Sequence, residues 1–209
     1  MLSKPWPAVA VGLLLIALGS NAARAQETLP STSPTSPPTA STAPSEPTTL
    51  FPKGAFTLGF NGGYYVDIES PNERVNPYTL EARWYVKDGL GIGVDVIGYT
   101  LDAKDGFDDA GAAGANLGLR HHVFERGDFS LFLEAAFGML YADDEFPPGG
   151  TRFNFTEQAG VGVTYRLKDN LFLVGGGRFI HISNAYIHGR DQNPGINAFG
   201  GYAGLMWEF

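Results

Sequence analysis

The sequence lacks cysteine, is short of basic residues and contains no long apolar run beyond its first 25 positions. Without cysteine, a disulfide-stapled fold and a cysteine nucleophile are both excluded. Fourteen Lys and Arg residues stand against 22 Asp and Glu residues, which gives a formal net charge of −8. Nucleic-acid-binding domains usually carry a basic surface, so a nucleic-acid partner is not expected. No segment is long and apolar enough to predict a transmembrane helix.

The N-terminus has the three parts of a secretory signal peptide. Lys4 provides the positive charge, residues 8–18 (AVAVGLLLIAL) form a short apolar run, and ARA at 23–25 fits a cleavage site. We therefore predict a signal peptide over residues 1–25, with an uncleaved anchor as the alternative. Cleavage would remove Lys4 and Arg24 but no acid, which changes the formal net charge from −8 to −10.

Residues 26–50 (QETLPSTSPTSPPTASTAPSEPTTL) consist mainly of Pro, Ser and Thr. Such a segment has little apolar surface to bury, so we predict a disordered linker. The folded domain is then residues 51–209.

Beyond residue 51 the apolar residues recur with period two. In AFTLGFNGGYYV, Phe56, Leu58 and Phe60 share one face of a strand, and Thr57 and Asn61 share the other. The segment YTLEARWYV at 78–86 repeats the pattern. Six further segments complete eight predicted strands: residues 90–101, 115–124, 129–141, 153–166, 171–184 and 197–209.

The polar face of these strands carries charges and many glycines, while the other face carries aromatic residues. The charged residues of the polar face are Glu81, Arg83, Asp95, Arg120, His122, Glu134 and Arg178. Charges and glycines in a narrow lumen, with aromatic residues outside, are typical of a small barrel in lipid. A secreted lipocalin-like barrel would have the opposite arrangement. We predict an all-β fold, an eight-stranded antiparallel transmembrane β-barrel.

The connections between the predicted strands alternate in length. Short turns at 87–89, 125–128 and 168–170 alternate with longer polar loops at 67–77, 102–114, 142–152 and 185–196. Outer-membrane barrels have short periplasmic turns and longer extracellular loops. The chain ends in GLMWEF, and a terminal aromatic residue resembles the C-terminal signature of outer-membrane proteins. The predicted location is the cell outer membrane, with the linker in the periplasm.

Histidine, a hydroxyl group and several amides cluster in the sequence between Arg178 and Asn197. Because alternate residues of a strand share a face, His181 and Ser183 belong to the apolar, lipid-facing stripe with Phe179. Two residues along a strand separate Cα atoms by roughly 6.6 Å, so leaning side chains can form a hydrogen bond. This spacing allows His181 to act as general base for a Ser183 nucleophile that attacks an ester. The alternative is that the two residues are polar side chains at the membrane interface without a catalytic role.

The motifs HISNA (181–185) and NPGIN (193–197) resemble the signature of the lipid A 3-O-deacylase family, PagL. Members of that family are eight-stranded outer-membrane barrels that hydrolyse the ester at position 3 of lipid A. The resemblance implies that Ser183 is the nucleophile and His181 the base. It places Asn193 at the position that stabilises the oxyanion and Asn184 at a signature asparagine with a substrate-binding role.

The sequence departs from the family at Asn197, where the family has the glutamate of its catalytic triad. An amide can still orient the imidazole, as Cys-His-Asn proteases show, but it supplies no charge to stabilise imidazolium. Weakened activity, or its loss, is therefore expected. Asp191 in the preceding loop is an alternative acid.

Three functions remain open. The first is a lipid A esterase that uses Ser183, His181 and Asn197. The second is a catalytically silent structural barrel, and the third is an outer-membrane phospholipase, a class that uses a Ser-His-Asn set but has more strands. No cofactor or metal site is predicted, because the acidic loops do not have the spacing of a calcium loop. The expected partners are lipopolysaccharide and the membrane, and a homodimer is left open.

Overall fold

The chain folds into eight strands, and the computed structural model describes residues 49–70, 72–103 and 106–209. The predicted signal peptide and residues 26–48 of the predicted linker lie outside the described residues. The strands are β1 (Phe56–Asp67), β2 (Arg74–Lys87), β3 (Leu90–Asp102), β4 (Ala110–Arg126), β5 (Phe129–Ala142), β6 (Phe153–Lys168), β7 (Leu171–Ser183) and β8 (Ile196–Glu208). A 3-10 turn at Arg190–Gln192 precedes β8. No helix in the three described ranges is long and apolar enough to cross a membrane.

Each strand is antiparallel to both of its neighbours, and β1 pairs with β8 to close the barrel. The predicted eight-stranded antiparallel barrel is therefore confirmed. At one end, two-residue turns connect the strands at 88–89, 127–128 and 169–170. At the other end the loops are longer, at 68–73, 103–109, 143–152 and 184–195. This asymmetry identifies the short turns as periplasmic and the long loops as extracellular.

Two strands begin earlier than the sequence predicts, which shortens the loops that precede them. β2 begins at Arg74 and includes Pro77, and β4 begins at Ala110 with a run of Ala and Gly residues. Neither a proline nor a run of small residues shows the apolar–polar alternation from which strands are predicted. The first two extracellular loops are consequently short, and most of the extracellular chain belongs to the third and fourth.

Side chains alternate between the exterior and the lumen of the barrel. On β1, Leu58 and Phe60 are 44% and 50% exposed, whereas Thr57 and Asn61 are buried. The same alternation around the sheet leaves a broad band of large apolar side chains on the outside. Such a band would be unfavourable in water and matches the hydrocarbon core of a bilayer.

A network of ion pairs crosses the middle of the lumen. Both terminal nitrogens of Arg120 donate to the carboxylate of Glu81, at 2.9 and 3.0 Å, and Nη2 also donates to Glu134 at 3.0 Å. Arg178 donates to Glu134 from Nη2 at 2.8 Å. The acids and arginines predicted for the polar face therefore neutralise one another, whereas His122 bonds to the hydroxyl groups of Tyr85 and Ser130.

Glycines provide the space that these charged side chains occupy. Arg83 donates to Asp95 at 3.2 Å on the same side of the lumen. A Cβ atom on Gly118 would lie 2.8 Å from Nη1 of Arg83, and one on Gly59 would lie 2.8 Å from Cγ of Glu81. A larger residue at either position would displace a charged side chain.

Apolar clusters fill the lumen on both sides of the ion-pair network. This corrects the sequence-based picture of a lumen occupied mainly by charges and glycines, because alternation alone does not show where on the polar face apolar residues occur. The extracellular cluster contains Tyr65, Val75, Ile97, Tyr99, Leu101, Ala110, Leu140, Ala142, Phe146, Ile180, Ile182, Ile196 and Ala198. The periplasmic cluster contains Leu50, Phe51, Ala55, Tyr85, Phe132, Phe172, Val174, Tyr202 and Met206.

The residues immediately before β1 close the periplasmic mouth of the barrel. Phe51 is fully buried, and its ring centroid lies 4.0 Å from that of His122. Thr49 Oγ1 and Leu50 N both donate to a carboxylate oxygen of Glu125, at 2.8 and 2.7 Å. Leu50, which the prediction assigned to the linker, is buried, so ordered packing starts slightly before the predicted domain boundary.

We predict that removing one cation from the ion-pair network destabilises the barrel, because it leaves buried carboxylates without a partner. Arg120→Met removes the cation shared by Glu81 and Glu134, so the free energy of unfolding should fall by about 3 to 5 kcal/mol. The measurement is the urea midpoint of barrel refolded in lipid vesicles, followed by its heat-modifiable gel mobility. Arg152→Met is the control, because Arg152 pairs with Asp144 at 3.8 Å on the exposed surface. Equal midpoints for the two variants would contradict the prediction.

Candidate active site

The candidate site lies on the outer face of the barrel at the extracellular ends of β7 and β8. Ser183 is the last residue of β7, and His181 precedes it by two positions, so their side chains share a face. The strand register pairs His181 with Asn197 near the start of β8. All three residues are half-buried. They therefore sit at the level of the outer leaflet, on the side of the sheet that faces lipid.

Hydrogen bonds join these three side chains in a line. Nδ1 of His181 lies 2.8 Å from Oδ1 of Asn197, and Nε2 lies 3.0 Å from Oγ of Ser183. An amide oxygen only accepts, so Nδ1 of the ring carries the hydrogen. Nε2 is then the acceptor and receives the hydrogen bond from the Ser183 hydroxyl. This is the arrangement in which an imidazole can remove the hydroxyl proton.

The end of β1 holds Asn197 in place through its backbone. Asn197 N donates to Oδ1 of Asp67 at 3.0 Å, and Ile68 N donates to the carbonyl oxygen of Asn197 at 2.8 Å. The second carboxylate oxygen of Asp67 accepts from Ser70 N at 2.7 Å. Asp67 is buried. Sequence reasoning missed this residue, because the contact spans 130 positions and depends on closure of the barrel.

The side chain of Asn184 anchors the fourth extracellular loop, residues 184–195. Its Nδ2 donates to Gln192 O at 2.6 Å and to Thr151 Oγ1 at 3.2 Å, and its Oδ1 accepts from Tyr186 N at 3.0 Å. The residue is buried. Both amide hydrogens of Asn184, for which a substrate-binding or oxyanion role is predicted, have acceptors within the protein in this structure.

Asn193 and Gly195 bring the same loop close to the His181–Ser183 pair. Oδ1 of Asn193 accepts from Asn184 N at 2.8 Å, which fixes the orientation of the amide and leaves Nδ2 as its donor end. A Cβ atom on Gly195, where φ is +61°, would lie 3.7 Å from Cε1 of His181 and 4.0 Å from Cβ of Ser183. Asn193 therefore lies two residues before the loop position, Gly195, that adjoins His181 and Ser183.

The chain turns sharply just after Ser183. Ala185 and Tyr186 both have positive φ angles, 51° and 62°, in the left-handed region that residues with a Cβ rarely adopt. Strained backbone of this kind is concentrated at functional sites. The hydrogen bond from Tyr186 N to Asn184 helps to hold the turn.

Asp191, the alternative acid, lies in the 3-10 turn and is exposed. The hydrogen-bond partner of Nδ1 of His181 is Asn197. The structure therefore brings Asn197, and not Asp191, to the position next to the imidazole.

The fold and this surface define an outer-membrane β-barrel with a serine–histidine pair on its lipid face. A family model, lipid A 3-O-deacylase (PagL), matches residues 53–206. The chain belongs to that family, and its location is the outer membrane. No curated protein matches the sequence significantly.

Solved structures with the same fold include three outer-membrane proteins. The outer-membrane enzyme PagL is 17% identical, with a TM-score of 0.56 over 71% of this chain and 97% of that chain. Neisserial surface protein A is 15% identical, with a TM-score of 0.55 over 74% and 96%. The N-terminal barrel domain of Pseudomonas aeruginosa OprF is 11% identical, with a TM-score of 0.52 over 75% and 98%. At these identities the similarity establishes the fold alone.

We predict that Asn184→Ala disorders the fourth extracellular loop while the barrel stays folded. The change removes three side-chain hydrogen bonds, and each buried group left unpaired costs about 1 to 3 kcal/mol. Trypsin should then cleave faster after Arg190 in folded, heat-modifiable protein. Asn170→Ala, at an exposed asparagine in a periplasmic turn, is the control. Identical cleavage rates in the two variants would show that Asn184 does not hold the loop.

Proposed function

We propose that this protein is an esterase that removes an ester-linked acyl chain from lipid A, with Ser183 as nucleophile and His181 as general base. The observation that carries the proposal is the line of hydrogen bonds from Ser183 through His181 to Asn197 on the lipid-facing surface. Membership of the deacylase family supports it. By the same family relationship, the bond cleaved is the ester of the 3-hydroxyacyl group at position 3.

The chemistry follows from the hydrogen-bond directions at the site. Oγ of Ser183 attacks the ester carbonyl carbon while its proton moves to Nε2 of His181. The carbonyl oxygen becomes an oxyanion, for which Nδ2 of Asn193 is the proposed donor. The sugar oxygen then leaves with the proton from His181, and the acyl group remains on Ser183. Water, deprotonated by His181, hydrolyses this acyl-enzyme and releases the fatty acid.

A shallow groove below the site offers a place for the acyl chain. Gly175 and Gly177 of β7 pair with Ala203 and Gly201 of β8, so four small residues adjoin on the lipid-facing surface. The ring of Phe199 borders them, since a Cβ atom on Gly177 would lie 3.7 Å from its tip. An acyl chain that leaves the bilayer for this groove gains almost no hydrophobic free energy. Substrate selection must therefore come from polar contacts at the extracellular rim.

A second candidate function, a catalytically silent barrel, is favoured by one observation. Asn197 occupies the position of the acid and supplies no charge to the imidazolium that forms during attack. The hydrogen bonds from Ser183 to His181 and from His181 to Asn197 are nevertheless in place, and the buried side chains of Asp67 and Asn184 hold the adjoining backbone. The lipid A composition of expressing cells distinguishes the two functions.

We predict that Ser183→Ala and His181→Ala each abolish deacylation. Loss of the nucleophile or the base in such a set costs several orders of magnitude in rate. Mass spectrometry of lipid A from expressing cells should show loss of a 3-hydroxyacyl group with the wild type only. Heat-modifiable mobility in all three strains is the control for assembly. Identical lipid A spectra in wild-type and Ser183→Ala cells would refute the lipid A esterase.

We predict that Asn197→Glu preserves or raises the rate, because it gives the imidazole a charged partner at the same position. Asn197→Ala should lower the rate by about one to two orders of magnitude, since the ring loses its orienting acceptor. Asp191→Ala should have little effect. These rates are measured as fatty-acid release from purified lipid A in detergent. A large loss in Asp191→Ala combined with none in Asn197→Ala would reverse the assignment.

A further inference from the structure

An acidic side chain stands on the lipid-facing surface one strand away from the candidate site. Glu157 lies on β6, is exposed, and pairs in register with His181 of β7. It also pairs with Phe137 of β5 on its other side. An ionisable residue that faces lipid is costly and is by default a functional candidate.

The neighbours of Glu157 on the outer face are apolar except on the side of the site. Phe155 and Ala159 precede and follow it on the same face of β6, and Phe137 lies across from it. The rings of Phe137 and Phe155 stack with centroids 6.0 Å apart. Toward β7 the direct neighbour is His181, and Ser183 is the diagonal one because it pairs with Phe155.

We propose that Glu157 is a positioning residue that supplies the negative charge that Asn197 lacks. This inference rests on the proposed esterase function. Asn197 orients the ring through Nδ1, and Ser183 occupies Nε2, so Glu157 acts through space and not as a hydrogen-bond partner of either nitrogen. Its carboxylate stabilises the imidazolium that forms when Ser183 transfers its proton to His181.

The register makes this interaction physically effective. Directly paired residues on one face of a sheet have Cβ atoms about 4.5 to 5.5 Å apart. Charges at such separations interact more strongly beside hydrocarbon than in water, because the effective dielectric constant is lower. Asp67 lies on the lumenal side of the sheet, where its oxygens accept from Ser70 N and Asn197 N.

The other ionisable groups around His181 lie in the lumen or in the fourth extracellular loop. Arg178 of β7 points into the lumen. His188 and Asp191 are exposed in the fourth extracellular loop. Glu157 is therefore the acidic residue that shares the outer face with His181 on an adjacent strand.

The test is Glu157→Gln, with rates of fatty-acid release measured against substrate concentration. We expect kcat to fall about tenfold, which corresponds to about 1.4 kcal/mol of transition-state stabilisation, with KM unchanged. Glu157→Asp should restore most of the rate. Glu145→Gln, an exposed loop acid, is the matched control and should behave as the wild type.

A double-mutant cycle separates the outcomes. In an Asn197→Glu background, Glu157→Gln should lower kcat less than in the wild type. The carboxylate introduced at position 197 already stabilises the imidazolium. Equal losses of kcat in both backgrounds, no recovery in Glu157→Asp, or a change in KM alone would overturn the proposal. Inactive wild-type protein with unaltered lipid A would instead be a failure of the proposed esterase function.

Discussion

Every side chain of the closed sheet must point either into the lumen or toward lipid, because successive residues of a strand alternate in direction. The sheet closes on itself, so no strand has a free edge along which its register could shift. The register of one strand pair therefore determines which side chains of the other strands face the lumen. His181 and Ser183 face lipid because Arg178 and Ile180 face inward. A shift of one residue in β7 would bury the histidine and expose the arginine to hydrocarbon. The ion-pair network and the candidate site are therefore consequences of the same register.

The interior and the exterior of this barrel have separate physical tasks. Inside, Arg120 and Arg178 are neutralised by Glu81 and Glu134, and apolar clusters cover this network at both ends. In the described part of the chain, these clusters and ion pairs occupy the lumen, which therefore supports the surface outside. Outside, the half-buried polar residues at the rim of β7 and β8 are open to molecules that diffuse in the outer leaflet. A site of this kind suits a substrate whose scissile bond lies at the boundary between headgroup and acyl chain.

The sequence predicts the strands where alternation is clear and fails where it is absent. β4 begins five residues early because its Ala and Gly residues show no pattern, and Phe51 gives no sign that it closes the lumen. At the site, the shared face of His181 and Ser183 follows from their spacing, but the pairing of His181 with Asn197 needs the register between β7 and β8. The anchoring role of Asp67 depends on its contact with Asn197, and that of Asn184 depends in part on its contact with Thr151, both distant in sequence. No periodicity or short motif encodes such contacts, so they emerge only from the closed barrel.

Compared with a glutamate at the same position, Asn197 removes a negative charge from the site but keeps the hydrogen bond to His181. The amide oxygen accepts from Nδ1 of His181, as a carboxylate oxygen at the same position would. In the proposed reaction, the imidazolium formed during attack then has no negative charge hydrogen-bonded to its Nδ1. Because Coulomb interactions decay more slowly with distance than hydrogen bonds, an acid on the neighbouring strand can contribute where direct contact is impossible. Orientation and charge, which a single carboxylate usually combines in a serine–histidine triad, can thus be divided between two residues of adjacent strands.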